Sequence, residues 1–566
     1  MQTVADIVIT NARVMTMDKD NPRCEALAIA GNRILAVGSV AEIADFKGPA
    51  TRTVDAKGAS VLPGFNESHL HIFGGSVGLS QLSLFKLQGF DALKAALLDY
   101  AAAHPDLHLL VGQYASYAIL SNDERLTRHH LDSIIPERPV LLFASDHHTA
   151  WANTAALEAA GILHGADVGV GNEIVMGKHG RATGELHEAN AISPVASLSE
   201  TEGREGLGVG TGGEPESVTQ AQRAADIAIL QRGLDYCASL GITSIQNMDG
   251  NLYQLEMIEE IEETTGLPVR VRIPFHMKNF MDLSVLEERA VVWRERFRSD
   301  RLKSDFVKMF VDGVTESGTA FFIEDYATQP GWRGEPLFTQ EHFNRVAVAA
   351  DALGMQIAVH AIGDGAVREA LDGYAAAIRE NGRRDSRHRI EHIEVVHPDD
   401  IPRFAELGTV ASMQPVHSPG SAGLPLEPYL SDIGEERWAY AFAWRMLKDA
   451  GARIVFATDW PVSPLDPLLC IREAMVRKVW KQGLPDQRLT LEDTLAAYTS
   501  ESAWVEFMED RKGKLKPGYL ADVVVLSADI EVVEPQSIHE IRALVTVCDG
   551  KVTWDADAAR SGGPMR

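Results

Sequence analysis

The chain is 566 residues long, 45% apolar and 23% charged, with 47 glycines and 25 prolines, proportions that exclude wholesale disorder and collagen-like or linker-dominated chains. Its 53 basic residues stand against 80 acidic ones, a formal net charge of −27, which argues against nucleic acid or an anionic membrane surface as a partner. Cys24, Cys237, Cys470 and Cys548 form no C-x-x-C pair, so thiolate zinc sites and disulfide frameworks are not expected and a reducing cytoplasm is.

The N-terminus carries acidic residues inside its apolar stretch and reads as a strand, not a signal peptide. No run of about 18 apolar residues occurs, so no membrane span is expected. Asp6–Met17, Glu25–Val37 and the stretch around Val54 alternate in period two, as short strands joined by Gly or Asn turns. The apolar strand Ser60–Phe65 follows and runs into Asn66-Glu67-Ser68-His69-Leu70-His71.

Gly74-Gly-Ser76-Val-Gly78 matches G-x-S-x-G, but Phe73-Gly74-Gly75 breaks the strand that a nucleophile elbow needs, so a serine hydrolase on Ser76 ranks second. The long stretch from His71 to Leu240 holds strand-like Leu107–Val111 and Val140–Ala144, which predicts an inserted α/β subdomain over about 76–215. Within it, polar and glycine-rich Ser197–Gln220 is expected to be a mobile loop or lid. Its Gly208–Gly213 matches G-x-G-x-x-G but lacks the preceding strand of a phosphate cradle.

Beyond the amphipathic run Ser217–Leu240, strands are predicted at Gly241–Asn247, Pro268–Phe275, Ser304–Val311, Met355–His360, His388–Ile393, Gly408–Gln414 and Ala452–Thr458. With Ser60–Phe65 they make eight, and eight strands alternating with helices predict a (β/α)8 TIM barrel. The tail returns to short strands, Ala521–Leu526 and Ile541–Val547, with a turn at Cys548–Lys551 into Val552–Trp554. The fold class is therefore α/β: a TIM barrel with a composite β-sandwich from both termini and an inserted α/β subdomain. The boundaries read as 1–59 and 511–566 for the sandwich, 60–470 for the barrel and 471–510 for a helical connection.

Residues i and i+2 of a strand point the same way, so His69 and His71 present two imidazoles to one side at the C-terminal rim of the first barrel strand. Lys308 lies inside the apolar strand Phe306–Asp312, and His360, His392 and Asp459 each end another strand. Singly, each fits a satisfied core polar group or a snorkelling lysine. Six on the rims of strands one, four, five, six and eight point to a metal site instead. Imidazole and carboxylate without thiolate suit zinc, manganese, iron or nickel in hydrolysis.

These residues belong to motifs that resemble the metal-dependent amidohydrolase superfamily, in the branch called amidohydrolase family 3, which includes N-substituted formamide deformylase. The resemblance runs through Leu62–His71, Asp146–Asn153, Val307–Gly313, His360–Gly365, Arg389–His392, Met413–Pro415, Ala457–Val462 and Gly518–Val523. It implies His69 and His71 on one divalent metal, His360 and His392 on a second, and a carboxylated Lys308 bridging the two. It also implies Asp459 as ligand of the first metal and proton shuttle. Glu67 stands where the family commonly has Asp. The superfamily's deaminases usually show His-x-x-Glu where this chain has His360-Ala-Ile-Gly, which disfavours deamination.

The expected activity is hydrolysis of a non-peptide C–N bond in a small N-acyl, N-formyl or cyclic amide, by water that the metals activate. A deaminase, a carbamate or ester hydrolase on the same site, and a non-catalytic assembly protein are the alternatives. Asp312 and Glu391 are expected to orient ligands. His148, Gln414 and Trp460 are candidates for substrate contact, and Trp332 for lining the pocket. Partners are expected to be a small-molecule amide and, for assembly, a homodimer.

Overall fold

The computed structural model describes residues 3–85, 87–121, 124–144, 148–169 and 171–560. Asp146 and His147 of the matched segment lie outside them. The chain divides into two compact units, one of Met1–His71, Leu234–Trp460 and Pro464–Arg566, the other of Ile72–Gly233 with Pro461–Ser463.

In the first unit, the strands Arg33–Gly38, Ala26–Ala30, Ile7–Thr10 and Arg52–Asp55 form one sheet in that order. A second sheet joins the chain ends: Val523–Leu526 pairs antiparallel with Ser60–Pro63 on one side and Ala543–Cys548 on the other. Ile7, Ile9, Leu27 and Ile29 of the first sheet share a core with Val61, Val523, Val525 and Val547 of the second. Period-two alternation produced this, because every second residue of each strand points at the opposing sheet.

The apolar run expected as one strand, Ser60–Phe65, is two. Ser60–Pro63 stays in the terminal sheet, and Phe65–Leu70 opens the parallel series. Gly64 sits between them, where a Cβ would come within 2.2 Å of Thr243 Cγ2. That close approach explains the glycine.

The parallel series is α/β and TIM-barrel-like. Strand one is Phe65–Leu70, strand two Ile242–Asn247, and strand three Arg270–Arg272, resumed at Phe275–His276 after Pro274, which has no N–H to give the ladder. Strand four is Leu302–Lys303 resumed at Phe306–Phe310, and strands five to eight are Gln356–Ala361, Arg389–His392, Val410–Met413 and Arg453–Phe456. Neighbours pair parallel throughout. The two ends of the series meet where Leu70 bridges Trp460 in parallel and Asp459 N–H donates to His69 O at 3.0 Å.

Helices follow most strands. Helix Gln340–Ala352 is capped by the Thr339 side chain and buries Phe343, Val346, Ala347 and Ala350, the 3.6-residue stripe of a sheet-covering helix.

The second unit holds a six-stranded sheet in the order Glu173–Met176, Ala182–His187, Thr149–Ala152, Val140–Ala144, Leu110–Ala115, Leu82–Ser83. Leu110 and Leu142 pack with Leu93 and Leu97 in one core, and Val111 and Leu141 with Ala156 and Ala191 in another, so both faces are covered.

Two segments of this unit bear on the sequence reading. Within Ser197–Gln220, Arg204–Gly206 and Leu207–Gly210 are short helices, while 211–219 is irregular and mostly exposed. Arg204, 4% exposed, donates to Asp226 through Nε at 2.7 Å and Nη2 at 3.1 Å, and that buried pair anchors a segment whose composition alone reads as loop. Ser76 is no nucleophile elbow. It lies within helix Ile72–Gly78, fully buried, its hydroxyl donating to Ile72 O at 2.6 Å and its side chain packed against Gly233. Among the described residues, no helix is long and apolar enough to cross a membrane.

Candidate metal centre

Strand register delivers the rim residues. His69 and His71 leave the end of strand one, Asp459 follows strand eight, and the main-chain bonds between those two segments bring all three side chains together. His69 Nε2 lies 3.2 Å and His71 Nε2 3.3 Å from the same oxygen, Asp459 Oδ1.

The other nitrogen of each ring faces a different carboxylate. His69 Nδ1–H donates to Glu391 Oε2 at 2.7 Å, and His71 Nδ1–H to Asp249 Oδ1 at 2.5 Å. A carboxylate only accepts, so the proton of each neutral ring sits on Nδ1 and the Nε2 lone pairs converge on a carboxylate oxygen that has no proton to give. A cation resolves that convergence. Burial opposes charge on His71, yet Asp249 and Asp459 raise its pKa to about 10. Burial likewise pushes Asp459 up, and the imidazoles of His69, His71 and His392 outweigh it and hold the carboxyl well below its ordinary range. The surroundings that favour an imidazolium here favour a divalent cation more strongly.

Strands five and six bring two further imidazoles, with ring centroids of His360 and His392 4.4 Å apart and of His69 and His392 4.9 Å apart. His360 Nε2–H donates to Gly313 O at 3.0 Å, which leaves Nδ1 as its lone-pair nitrogen. His392 Nδ1 faces Gln414 Oε1 at 3.0 Å and Asp459 Oδ2 at 3.8 Å. Lys308 is fully buried on strand four, and its Nζ has no hydrogen-bond partner among the described residues, lying 4.7 Å from the Phe310 ring centre. Burial pulls its pKa down to about 8, against the pull of Glu391 and Asp459. An orphaned buried amine beside imidazoles and carboxylates, like the orphaned Asp459 Oδ1, fits a site built around cations.

Backbone strain gathers at the same rim. His392, Ile393 and Asp459 have φ of 75°, 51° and 60°, a left-handed conformation that costs side-chain-bearing residues about 1–3 kcal/mol each.

Of the other residues singled out from the sequence, Glu391 is held by Arg389 as well as by His69. Asp312 accepts backbone N–H groups of Phe321, Ile362 and Gly363 at 2.9–3.0 Å and lies 3.7 Å from His360 Nε2. Gln414 is buried with its carbonyl turned to His392. Trp460 is buried against Tyr236, and Trp332 is exposed, its Nε1–H bonded to Gly318 O. His148 belongs to the second unit, where it pairs with Glu188 at 2.8 Å. Glu67 accepts from Thr458 N and Oγ1, and burial raises its pKa to about 8.

Sequence reasoning missed Asp249 and His417. His417 sits on the turn Pro415–His417, and its donor atoms lie with those of His392 and Asp459 within 4.8 Å of one another. Both residues lie past strand ends, where strand periodicity gives no direction. It also passed over Lys278, half-buried after strand three, whose pKa burial and the neighbouring Lys308 charge lower to about 7.

A family model described as an amidohydrolase family matches residues 52–554. The chain belongs to the amidohydrolase family. This amidohydrolase is 31% identical over 544 residues to the Arabidopsis thaliana protein LONG AFTER FAR-RED 3, covering 93% of this chain and 88% of that protein. It is 25% identical over 563 residues to N-substituted formamide deformylase of Arthrobacter pascens, covering 98% and 99%. A solved structure described as an uncharacterized metal-dependent hydrolase from Pyrococcus horikoshii shares its fold, with a TM-score of 0.72 at 24% identity over 94% of this chain and 99% of that one. The protein is a metal-dependent hydrolase of the amidohydrolase superfamily, acting on a small molecule.

Proposed function

We propose that the rim site is a two-metal centre that hydrolyses the amide bond of a small N-acyl or N-formyl compound, with a cyclic amide as the next substrate class. The convergence of His69 Nε2 and His71 Nε2 on one oxygen of Asp459, with each Nδ1 spent on a carboxylate, carries this reading. His69, His71 and Asp459 would hold the first ion, and His360 and His392 the second, with His417 extending that donor set. The donors suit zinc ahead of iron, manganese or nickel. In this reading the eight parallel strands close into a TIM barrel, and the sheets from the two termini form one sandwich.

When bound, such ions supply Lewis acidity and lower the pKa of water from 15.7 to about 7. The protein's own residues do the rest. Glu391 and Asp249 fix the tautomers of His69 and His71, so the rings offer Nε2. Asp459 would accept the proton of the attacking water at a carboxylate oxygen and return it to the leaving nitrogen. Amide hydrolysis needs that return because an amide anion is a very poor leaving group. Lys308 as a carbamate would bridge the ions. Its buried amine loses its proton near neutral pH, and the neutral amine adds carbon dioxide, forming an N–C bond and releasing a proton. Gln414 and Trp460, at the ends of strands seven and eight, are the candidate substrate contacts. The formamide named for the Arthrobacter relative places formamides first among substrates to test.

The test is a panel of formamides, N-acyl amines, lactams and carbamates offered to metal-loaded and chelated protein. The reading expects an amide to be turned over only with metal. Turnover of esters or amines alone, or turnover that survives chelation, contradicts it.

A further inference from the structure

At the N-terminal ends of the parallel strands, away from the metal centre, Arg272 of strand three and Lys303 of strand four are register partners. Like charges facing each other across a ladder repel. A third cation, Lys512, lines the same cavity of about 260 Å³.

The acids around that cavity are already committed. Glu506 lies 2.9 Å from Lys512 Nζ and accepts from Asn66. Asp300 is held through both carboxylate oxygens by Arg511. Arg270, also on the wall, is matched by Asp522 at 2.8 Å.

That leaves Lys303 in excess. Its Nζ makes a 3.0 Å contact with Met508 Sδ, a weak acceptor, and has no carboxylate within ion-pair distance among the described residues. Burial lowers its pKa, and the charges of Arg272 and Lys512 add to that against the pull of Asp305 and Glu506. Arg272 is also short of an acceptor. It is 3% exposed and donates through Nε to Asp305 Oδ1 at 2.5 Å and through Nη1 to Gln356 Oε1 at 2.8 Å, while Nη2 has no hydrogen-bond partner among the described residues.

An unpaired ammonium and a spare guanidinium N–H, set side by side by strand register, call for an acceptor that carries one negative charge. Water would satisfy the N–H groups without answering the charge, and a divalent oxyanion would overshoot it beside Glu506. We propose that a monovalent anion, of which chloride is the simplest, binds between Arg272 and Lys303 at the N-terminal ends of strands three and four. The site ties the two strands together and is independent of the hydrolase reading above.

The test compares metal-loaded wild type, Lys303→Met and Lys303→Arg in sodium chloride and in sodium gluconate at equal ionic strength, which holds screening constant. An anion that binds only the folded chain should raise the wild-type melting temperature saturably with chloride and not with bulky gluconate. Lys303→Met removes the excess cation, so the chloride affinity read from that titration should fall about tenfold or more. Lys303→Arg keeps the charge and should keep part of the response. A chloride response that is equal in wild type and Lys303→Met, or absent from the wild type, overturns the proposal. Wild-type crystals soaked in sodium bromide give a second measurement that needs no variant, because bromide replaces chloride and scatters anomalously. A peak within hydrogen-bond distance of Arg272 Nη2 and Lys303 Nζ is expected, and its absence overturns the site.

Discussion

The parallel strands carry buried charge at both ends, and the two ends treat it differently. At the N-terminal ends, Arg270 Nε donates to Asp522 at 2.8 Å, Lys512 Nζ lies 2.9 Å from Glu506, and His388 Nε2 lies 3.1 Å from Asp351. Each of these three groups has its carboxylate within ion-pair distance. At the C-terminal ends, two imidazole lone pairs meet one carboxylate oxygen, an amine is buried without a hydrogen bond among the described residues, and three residues with side chains sit at positive φ. The bottom is built for stability. The top leaves Asp459 Oδ1 and the Lys308 amine without hydrogen bonds among the described residues, the state of a site completed by bound ions.

The largest effect should come from breaking the top. Asp459→Asn keeps the shape but cannot take the proton, so kcat should fall by about 10³-fold or more while the melting temperature stays near that of the wild type. Near-normal turnover would remove Asp459 from its role. Breaking the bottom should do the reverse. Arg270→Met leaves Asp522 buried without its cation, which should cost about 3–5 kcal/mol in denaturant unfolding and leave kcat per folded molecule unchanged. A loss of kcat with no loss of stability would erase the contrast.

A smaller change should sharpen it. Asp249→Ala frees the His71 ring to rotate and exchange tautomer, so metal affinity should drop about 10–100-fold, read by chelator competition. Unchanged affinity would mean that Asp249 does not orient His71. The smallest effect is expected at Ser76→Ala, which removes one hydroxyl-to-carbonyl bond inside a helix, about 1 kcal/mol in stability, with kcat unaffected. A large loss of kcat there would revive the serine-hydrolase reading.

The contrast between the two ends also explains what the sequence revealed. His69, His71, Lys308, His360, His392 and Asp459 were legible because each interrupts or ends an apolar strand, where period-two geometry fixes the side chain's direction. Asp249 and His417 lie in turns beyond the strands, so only the folded chain brings them in. Ser60–Phe65 read as one strand because apolar composition is continuous across Gly64, while the close approach of Thr243 that divides it is a long-range contact. The stretch 197–220 read as loop because its anchor, the buried Arg204–Asp226 pair, joins residues that pattern analysis treats separately. Local periodicity carried the architecture, and long-range polar pairs carried the exceptions.

The central claim is that cations complete the top of the parallel strands. Elemental analysis by mass spectrometry of the purified wild type and of Lys308→Ala, with activity measured on the same samples, tests it most directly. The account predicts close to two divalent ions per wild-type chain. It predicts a joint loss of metal and activity in Lys308→Ala, with part of both restored by bicarbonate or a short carboxylic acid. Wild-type protein that keeps full turnover after its metal has been stripped would contradict it.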